Sequence, residues 1–529
     1  MTETSLTPLT IPPFSDVYNI PIPELWLSAL VQHAVIGGGP AYAEKPIVYE
    51  KVGEGVNPVR NVPTKQTRST DQNWLDWRTA FGLAFENVGP HVKNRVDQIA
   101  AAVEDELWTR TEAEGARRRR RVRAAVPITP ICAVLQNQIG VLGTTQYVDY
   151  GKAVESLYQV GKFLSGDKSD ATANSKLQIA LSDVSSQDER LAALDAAFLG
   201  SLCSALDLKL DSVRYEKHIG RLHLPGGLPS QLVNLFDANQ QKVLHSLRRI
   251  GENNSFVWFY QSWNKLTDPA WYHALPYRRW IDWLVTSIRL SIGTAYLARS
   301  QWVTSAAKYA LRATREEDSA LGTLINETFV QQPLSWPDRG GVSVRDRDVF
   351  PEMRKLIRTG ISIRQVLESD DFRQALGDDK SVEGLKRAIK ADFGLAEQLE
   401  RALLTPKVDF RHKVVQPVYN TVADALADKT SGDGSSESAD YYALMKRIGD
   451  SFVIDPSSEV MALIATLACE QPDGFTSLGR VRREFQALGL EPSQSELRFL
   501  LERAGLCRSE ADASLQVTVS SALRTASQL

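Results

Sequence analysis

The sequence predicts a mainly α protein: a multi-helical body followed by a small C-terminal domain. Three observations carry this. Apolar residues recur every three or four positions through most of the chain, the period that gathers them on one helix face. Alternation of period two is confined to "KPIVYEKV" and "SLQVTVS". And 529 residues exceed what one compact core holds, so several units are expected.

Taken in order, helical signals lie near residues 22 to 36, 71 to 87, 90 to 125, 228 to 250, 275 to 313, 382 to 404 and 411 to 428. A further helix is expected after Ser186, which forms a capping box with Glu189 and is followed by Leu191, Leu194, Phe198 and Leu202 on one face. Three stretches read as loops or boundaries: residues 43 to 70, the charged "QQPLSWPDRGGVSVRDRDVF" at 331 to 350, and "KTSGDGSSES" at 429 to 438. These divide the chain into an N-terminal helical region (1–125), a central helical domain (126–330), a helical domain after the charged loop (331–428), a linker (429–438) and a C-terminal module (439–529). No repeat of fixed period is present, which leaves an irregular α-solenoid open.

With 43% hydrophobic and 24% charged residues and a net charge of -3, the chain is neither disordered overall nor polybasic, so any anion-binding role must be local. Cys132, Cys203, Cys469 and Cys507 lie far apart without a CxxC pair, which suggests reduced thiols rather than disulfides or a zinc site, with Cys203 and Cys469 in helix-like apolar runs read as buried small hydrophobes. The N-terminal "MTETSLTPLTIPPFSD" lacks the features of a secretory leader. "VPITPICAVLQNQIGVLG" and "WLVTSIRLSIGTAYLA" are interrupted as membrane spans by prolines and glutamines and by Arg289 respectively. A cytoplasmic protein without a membrane partner is the expectation.

The most unusual stretch is "EGARRRRRVRAA", which places Arg117, Arg118, Arg119, Arg120, Arg121 and Arg123 within seven positions. The helix entering it has a stripe to bury in Val92, Val96, Ile99, Val103 and Leu107, and that stripe stops beyond Trp108. Five successive arginines at about 100° per residue point all round the axis, so they cannot share one solvated face of a packed helix. They are expected to meet acid: the helix's own Glu114 and its neighbours, an acidic protein, or a phosphate backbone, which guanidinium suits through bidentate geometry.

The C-terminal module reads as helix, helix, helix and a short strand. "PSSEVMALIATLACE" turns Val460, Leu463, Ile464 and Leu467 inward; "TSLGRVRREFQALG" does the same with Leu478, Val481, Phe485 and Leu488, starting after Thr476 and closing at Gly489. "SQSELRFLLERAG" is capped by Ser493 and stopped by Gly505, and "LCRSEADASLQVTVS" can form a two-stranded wing. This order and spacing resemble a winged helix-turn-helix domain over about residues 456 to 521. The resemblance implies that the third helix meets the DNA major groove with Gln494, Ser495 and Arg498 near its base-facing end, and that Arg480, Arg482 and Arg483 touch phosphates. Against it stands the charge from Ser457 to Leu529, seven arginines and nine acidic residues without a lysine.

Other constellations point elsewhere. Trp258, Trp263, Trp271, Trp280, Trp283 and Trp302 lie among basic residues and could stack bases, but Trp280, Leu284 and Ile288 recur every four positions, as core residues do. His218 and His223 in "RYEKHIGRLHLPGG" are five apart and lack a third ligand at metal spacing. "VIGGGPAY" fits neither a P-loop nor a dinucleotide fold. Asp338, Asp346 and Asp348 could hold Mg²⁺ for a nuclease, yet they alternate with Arg339, Arg345 and Arg347. No catalytic residue, cofactor or metal is assigned. The expectation is a non-enzymatic helical subunit of a complex that handles DNA or RNA together with other protein subunits. By analogy alone, helical accessory proteins with terminal winged helices serve prokaryotic genome defence or maintenance. A nuclease-type enzyme and a purely protein-binding scaffold are the alternatives.

Overall fold

The computed structural model describes residues 49–51, 61–63, 150–184, 254–315, 334, 336–338, 340, 342–377, 379, 381–406, 415–428, 442–449, 451–507 and 517–523. The arginine run, the 186–189 capping box, the glycine-rich 35–42, the 214–223 histidines, the helices expected near 22–36, 71–87, 90–125 and 228–250, Cys132, Cys203 and the 429–438 linker lie outside them. Helix makes up 68% of what is described, with few and short strands, so the protein is mainly α. No helix among the described residues is long and apolar enough to cross a membrane.

Strands β1 (Tyr49–Lys51) and β2 (Asn61–Pro63) pair antiparallel, β1 falling inside the expected "KPIVYEKV". Helices α1 (Tyr150–Leu164) and α2 (Ala173–Val184) follow. The buried Glu155 of α1 accepts the backbone N–H groups of Ala173 and Asn174 at 3.3 and 3.1 Å and the Gln159 amide at 2.7 Å. It thereby meets donors that the first turn of α2 leaves without helical partners. Burial pushes the Glu155 carboxyl above its ordinary range.

Helix α3 (Ser255–Leu266) crosses α1 closely enough that a Cβ on Gly161 would lie 2.0 Å from the Phe256 carbonyl oxygen. Asn254 caps α3 by accepting the N–H groups of Phe256 and Val257. After the short α4 (Pro269–Tyr272) comes α5 (Tyr277–Arg315), a 39-residue helix about 58 Å long where 275 to 313 was expected. From Trp280 to Ala307 nearly every side chain of α5 is buried. Its polar residues are accommodated locally: the Thr286, Ser287, Thr294 and Thr304 hydroxyls donate to carbonyls three or four residues back. Arg289, which breaks the apolar run in sequence, is buried and donates to the Ala425 carbonyl at 3.3 Å.

Around α5 pack α6 (Phe350–Leu367), α8 (Val382–Ala391), α9 (Phe393–Leu404) and α10 (Val415–Leu426), with α7 (Asp370–Leu376) joining α6 to α8. Gly360 of α6 lies against Ser300, and Gly293 of α5 against Leu426 of α10, at separations that a Cβ would close below 3 Å. The single helix expected over 382 to 404 is two. Asp392 is extended, with φ of -134° and ψ of 109°, and its carboxylate caps α9 at the Gly394 N–H. All six tryptophans of 258 to 302 are at most 4% exposed, so their rings fill this core and stack no base.

The two-residue strand β3 (Ala427–Asp428) pairs parallel with β4 (Met445–Ile448), which forms an unanticipated hairpin with β5 (Ser451–Ile454) around Gly449 at φ +62°. The C-terminal residues form α11 (Ser458–Leu467), β6 (Phe475–Ser477), α12 (Leu478–Ala487), α13 (Gln494–Arg503) and β7 (Thr518–Ser520), with β6 and β7 antiparallel and a bridge from Cys507 to Val519. Ser477 rather than Thr476 caps α12, Gly489 and Gly505 are left-handed at φ +77° and +73°, and Ser493 caps α13. One continuous set of buried side chains runs from Val154 in α1 to Val519 in β7.

Two outcomes follow. Gly161→Ala should separate α1 from α3 and lower the unfolding free energy by about 1–3 kcal/mol in chemical denaturation. The raised Glu155 pKa means the folded chain holds a proton that the unfolded chain releases above pH 4.5, so stability should fall as pH rises through that window. Glu155→Gln should flatten this slope when denaturation midpoints are compared between pH 4.5 and pH 7.

Candidate functional site

The residues singled out in the C-terminal module sit on α12 and α13. On α12, Val481, Phe485 and Leu488 face inward, leaving Arg480, Arg482 and Arg483 toward the outside. Arg480 pairs with Glu470 at 2.9 Å. Arg482 is committed to the turn between the helices, donating to the Glu491 carboxylate at 2.5 Å and to the Pro492 carbonyl at 3.2 Å. Arg483 is exposed and makes no ion pair among the described residues. Arg480 and Arg483 share the rim of a shallow cleft with Gln471, Phe475 and Thr476, where Phe475 is 50% exposed.

On α13, Leu497, Leu500 and Leu501 are buried, and Gln494, Ser495, Arg498 and Phe499 lie toward solvent. Arg498 pairs with Glu502 one turn on, at 2.8 Å, and that carboxylate holds its guanidinium above its ordinary pKa. Arg503 reaches Asp455 at 2.8 Å and also stacks on Phe499, 6.0 Å from the ring centre. Three of the six residues named for contact, Arg480, Arg482 and Arg498, therefore hold an internal carboxylate.

Two body residues reach this surface, and sequence patterns give no sign of either contact. The Asp338 carboxylate accepts the hydroxyl of Ser493 at the start of α13, and the buried Trp336 packs edge-on against Phe485 with ring centres 5.2 Å apart. A negative group thus stands at the end of α13 that the resemblance turns toward DNA. The other aspartates of that loop are engaged separately. Asp348 accepts the Phe350 and Phe452 N–H groups at 3.0 and 2.9 Å, while Asp346 accepts the Ser343 hydroxyl at 2.7 Å. Among the described residues no three His, Cys, Asp or Glu side chains gather at metal-binding spacing.

Beneath the surface, Lys265 of α3 holds the module to the body. Its ammonium donates to the carbonyls of Leu467 and Cys469 at the C-terminal end of α11, the latter at 3.1 Å, and lies 5.3 Å from the centre of the Trp271 ring. The Glu484 carboxyl of α12 stands nearby; burial raises its pKa against the pull of Lys265 and lowers that of Lys265 against the pull of Glu484. Burial also pushes the Cys469 thiol up to about 11, consistent with an inert core cysteine. Arg279 adds an ion pair to Glu459 at 3.0 Å, and the Tyr442 hydroxyl donates to Asp282 at 2.8 Å.

With this geometry in view, comparison with known proteins finds no matching family model, no matching curated protein and no matching solved structure.

Lys265→Met should leave two helix-end carbonyls without a donor and Glu484 without the strongest of its nearby positive charges. A loss of about 2–4 kcal/mol is expected, read as a lower urea midpoint.

Proposed function

We propose that this chain is a non-enzymatic helical subunit of a multi-protein complex that handles nucleic acid, contacting phosphate through the arginine run at 117–123 and through the C-terminal module. The observation that carries the reading is the order of that module: helix, strand, helix, helix and then a strand returning antiparallel to the first, with capped helices joined by a short turn. This order resembles that of a winged helix-turn-helix domain and supports the reading, since Gln494, Ser495 and Arg498 lie on the accessible side of the third helix. Arg480 and Arg483 flank the start of the second helix, where backbone N–H groups and guanidinium together suit phosphate.

A protein-binding scaffold is the second reading. What favours it is the pairing of Arg498 with Glu502 and the exposed ring of Phe499 between charged neighbours, a surface closer to a protein contact than to a phosphate cradle. The nuclease reading has less support, because Asp348 is occupied by two backbone amides.

Electrophoretic shift of labelled duplex and single-stranded oligonucleotides across a salt series separates these readings. For the first, log affinity should fall steeply with log salt. Arg480→Ala with Arg483→Ala should weaken binding about tenfold and reduce the slope by about 2, and removing Arg117 to Arg121 should do more. Asp338→Asn should tighten binding by removing the carboxylate from the start of α13. Absence of any shift at low salt leaves the scaffold.

A further inference from the structure

The described surface carries a second concentration of positive charge, away from the residues discussed so far. Helix α6 holds Arg354, Lys355, Arg358 and Arg364 against one acid, Glu352, in a chain whose net charge is -3. Arg345 and Arg347 stand in the single 3₁₀ turn that immediately precedes it. At about 100° per residue Arg354, Lys355 and Arg358 fall within one 100° sector, adjoining a buried face formed by Met353, Ile357 and Ile361.

What distinguishes Arg345, Arg347, Lys355 and Arg358 is the lack of internal acid. Arg364 pairs with Glu368, as the module arginines pair with their neighbours. Among the described residues, Arg345, Arg347, Lys355 and Arg358 make no ion pair or side-chain hydrogen bond. The Nε groups of Arg347 and Arg358 are buried without an acceptor, so both stems are pinned by packing. Unmet buried donors are destabilising and call for a reason. Asp346 and Asp348, the nearest acids in sequence, are held by Ser343 and by backbone amides respectively.

We propose that this α6 face, with the 3₁₀ turn before it, is a phosphate-backbone contact for nucleic acid on the helical body. The inference rests on the reading of the protein as a nucleic-acid subunit and adds a site to it. Phe350 to Arg358 rises about 12 Å, a length over which a duplex carries about seven phosphate charges. A protein partner would look for an apolar anchor amid the charge, and α6 has no exposed large apolar side chain. Unpaired cations at Lys355 and Arg358 on a rigid helix, continued by Arg345 and Arg347 in the turn before it, suit a polyanion read by charge alone.

The test uses the full chain and fluorescence anisotropy of a labelled 20-base-pair duplex across a salt series. Arg345→Glu with Lys355→Glu changes two exposed side chains that hold no internal partner, so folding should persist, as circular dichroism melts can verify. Binding should weaken at least tenfold, and the slope of log affinity against log salt should drop by about 2. The same reversal at the exposed Lys308 and Arg312 of α5 should change affinity less than twofold. Loss in the α6 variant with no effect of Arg480→Ala and Arg483→Ala supports this face and removes the module reading. The opposite pattern overturns this face and leaves the module reading standing. A parent chain that binds no oligonucleotide at low salt overturns both. An α6 variant that loses binding to polyglutamate but keeps its affinity for the duplex overturns the phosphate assignment in favour of an acidic protein.

Discussion

The seat of Lys265 beneath the last turn of α11 is the contact on which the rest of the arrangement depends. Desolvating an ammonium is expensive, and this one is tolerated because two helix-end carbonyls accept from it, the Trp271 ring faces it and Glu484 stands close by. Each of those partners belongs to an element with another task. Trp271 is part of the tryptophan-lined core, α11 is the buried centre of the C-terminal module, and Glu484 lies on the helix that carries Arg480, Arg482 and Arg483. Displacing the module would strand a charge, so the module is a docked part of the body rather than a bead on a linker. The Arg279–Glu459 pair and the Trp336–Phe485 contact reinforce the same seam.

What was legible in the sequence follows from how local the signal is. Helices α12 and α13 could be read nearly to the residue because each is short and amphipathic, starts at a serine and ends at a glycine whose left-handed backbone excludes continuation. The long α5 was legible from its four-residue recurrence of tryptophan and leucine. The break at Asp392 was not, since helix-forming residues stand on both sides and only the capping geometry of one aspartate divides them. The β4–β5 hairpin was hidden because its pairing partners, β3 and the Val349 N–H, come from distant segments. The Lys265 seat and the Asp338–Ser493 contact span 202 and 155 residues, and no periodicity reports on contacts of that range.

The charged loop at 331 to 350 shows how an apparently catalytic composition resolves into structure. Three aspartates interleaved with arginines suggest a metal cradle, yet each aspartate has its own employment. Asp338 meets the start of α13, Asp346 meets Ser343, and Asp348 fastens the hairpin to the N-terminus of α6. Their arginine neighbours are then left without those carboxylates. Arg347 is half-buried with no acceptor for its Nε, and Arg345 faces solvent. Placing the acids on backbone amides and hydroxyls is thus what sets the basic residues free.

That separation bears on where affinity for a polyanion would reside. Seven arginines and nine acidic residues give the module, from Ser457 onward, a net charge of about -2, and several of its arginines are internally paired. Counterion release scales with the phosphates neutralised, so a surface of this kind contributes little to it. Helix α6 presents the reverse balance, four cations to one acid, on a helix held by Gly360 tightly against α5. On the proposed reading, nonspecific attraction would arise on the body, while the accessible face of α13, with Gln494, Ser495 and the Phe499 ring, would be left to discriminate. A fixed seam between the two is what such a division of labour requires, since charge can orient a second surface only if that surface cannot swing. The Lys265 seat supplies that rigidity.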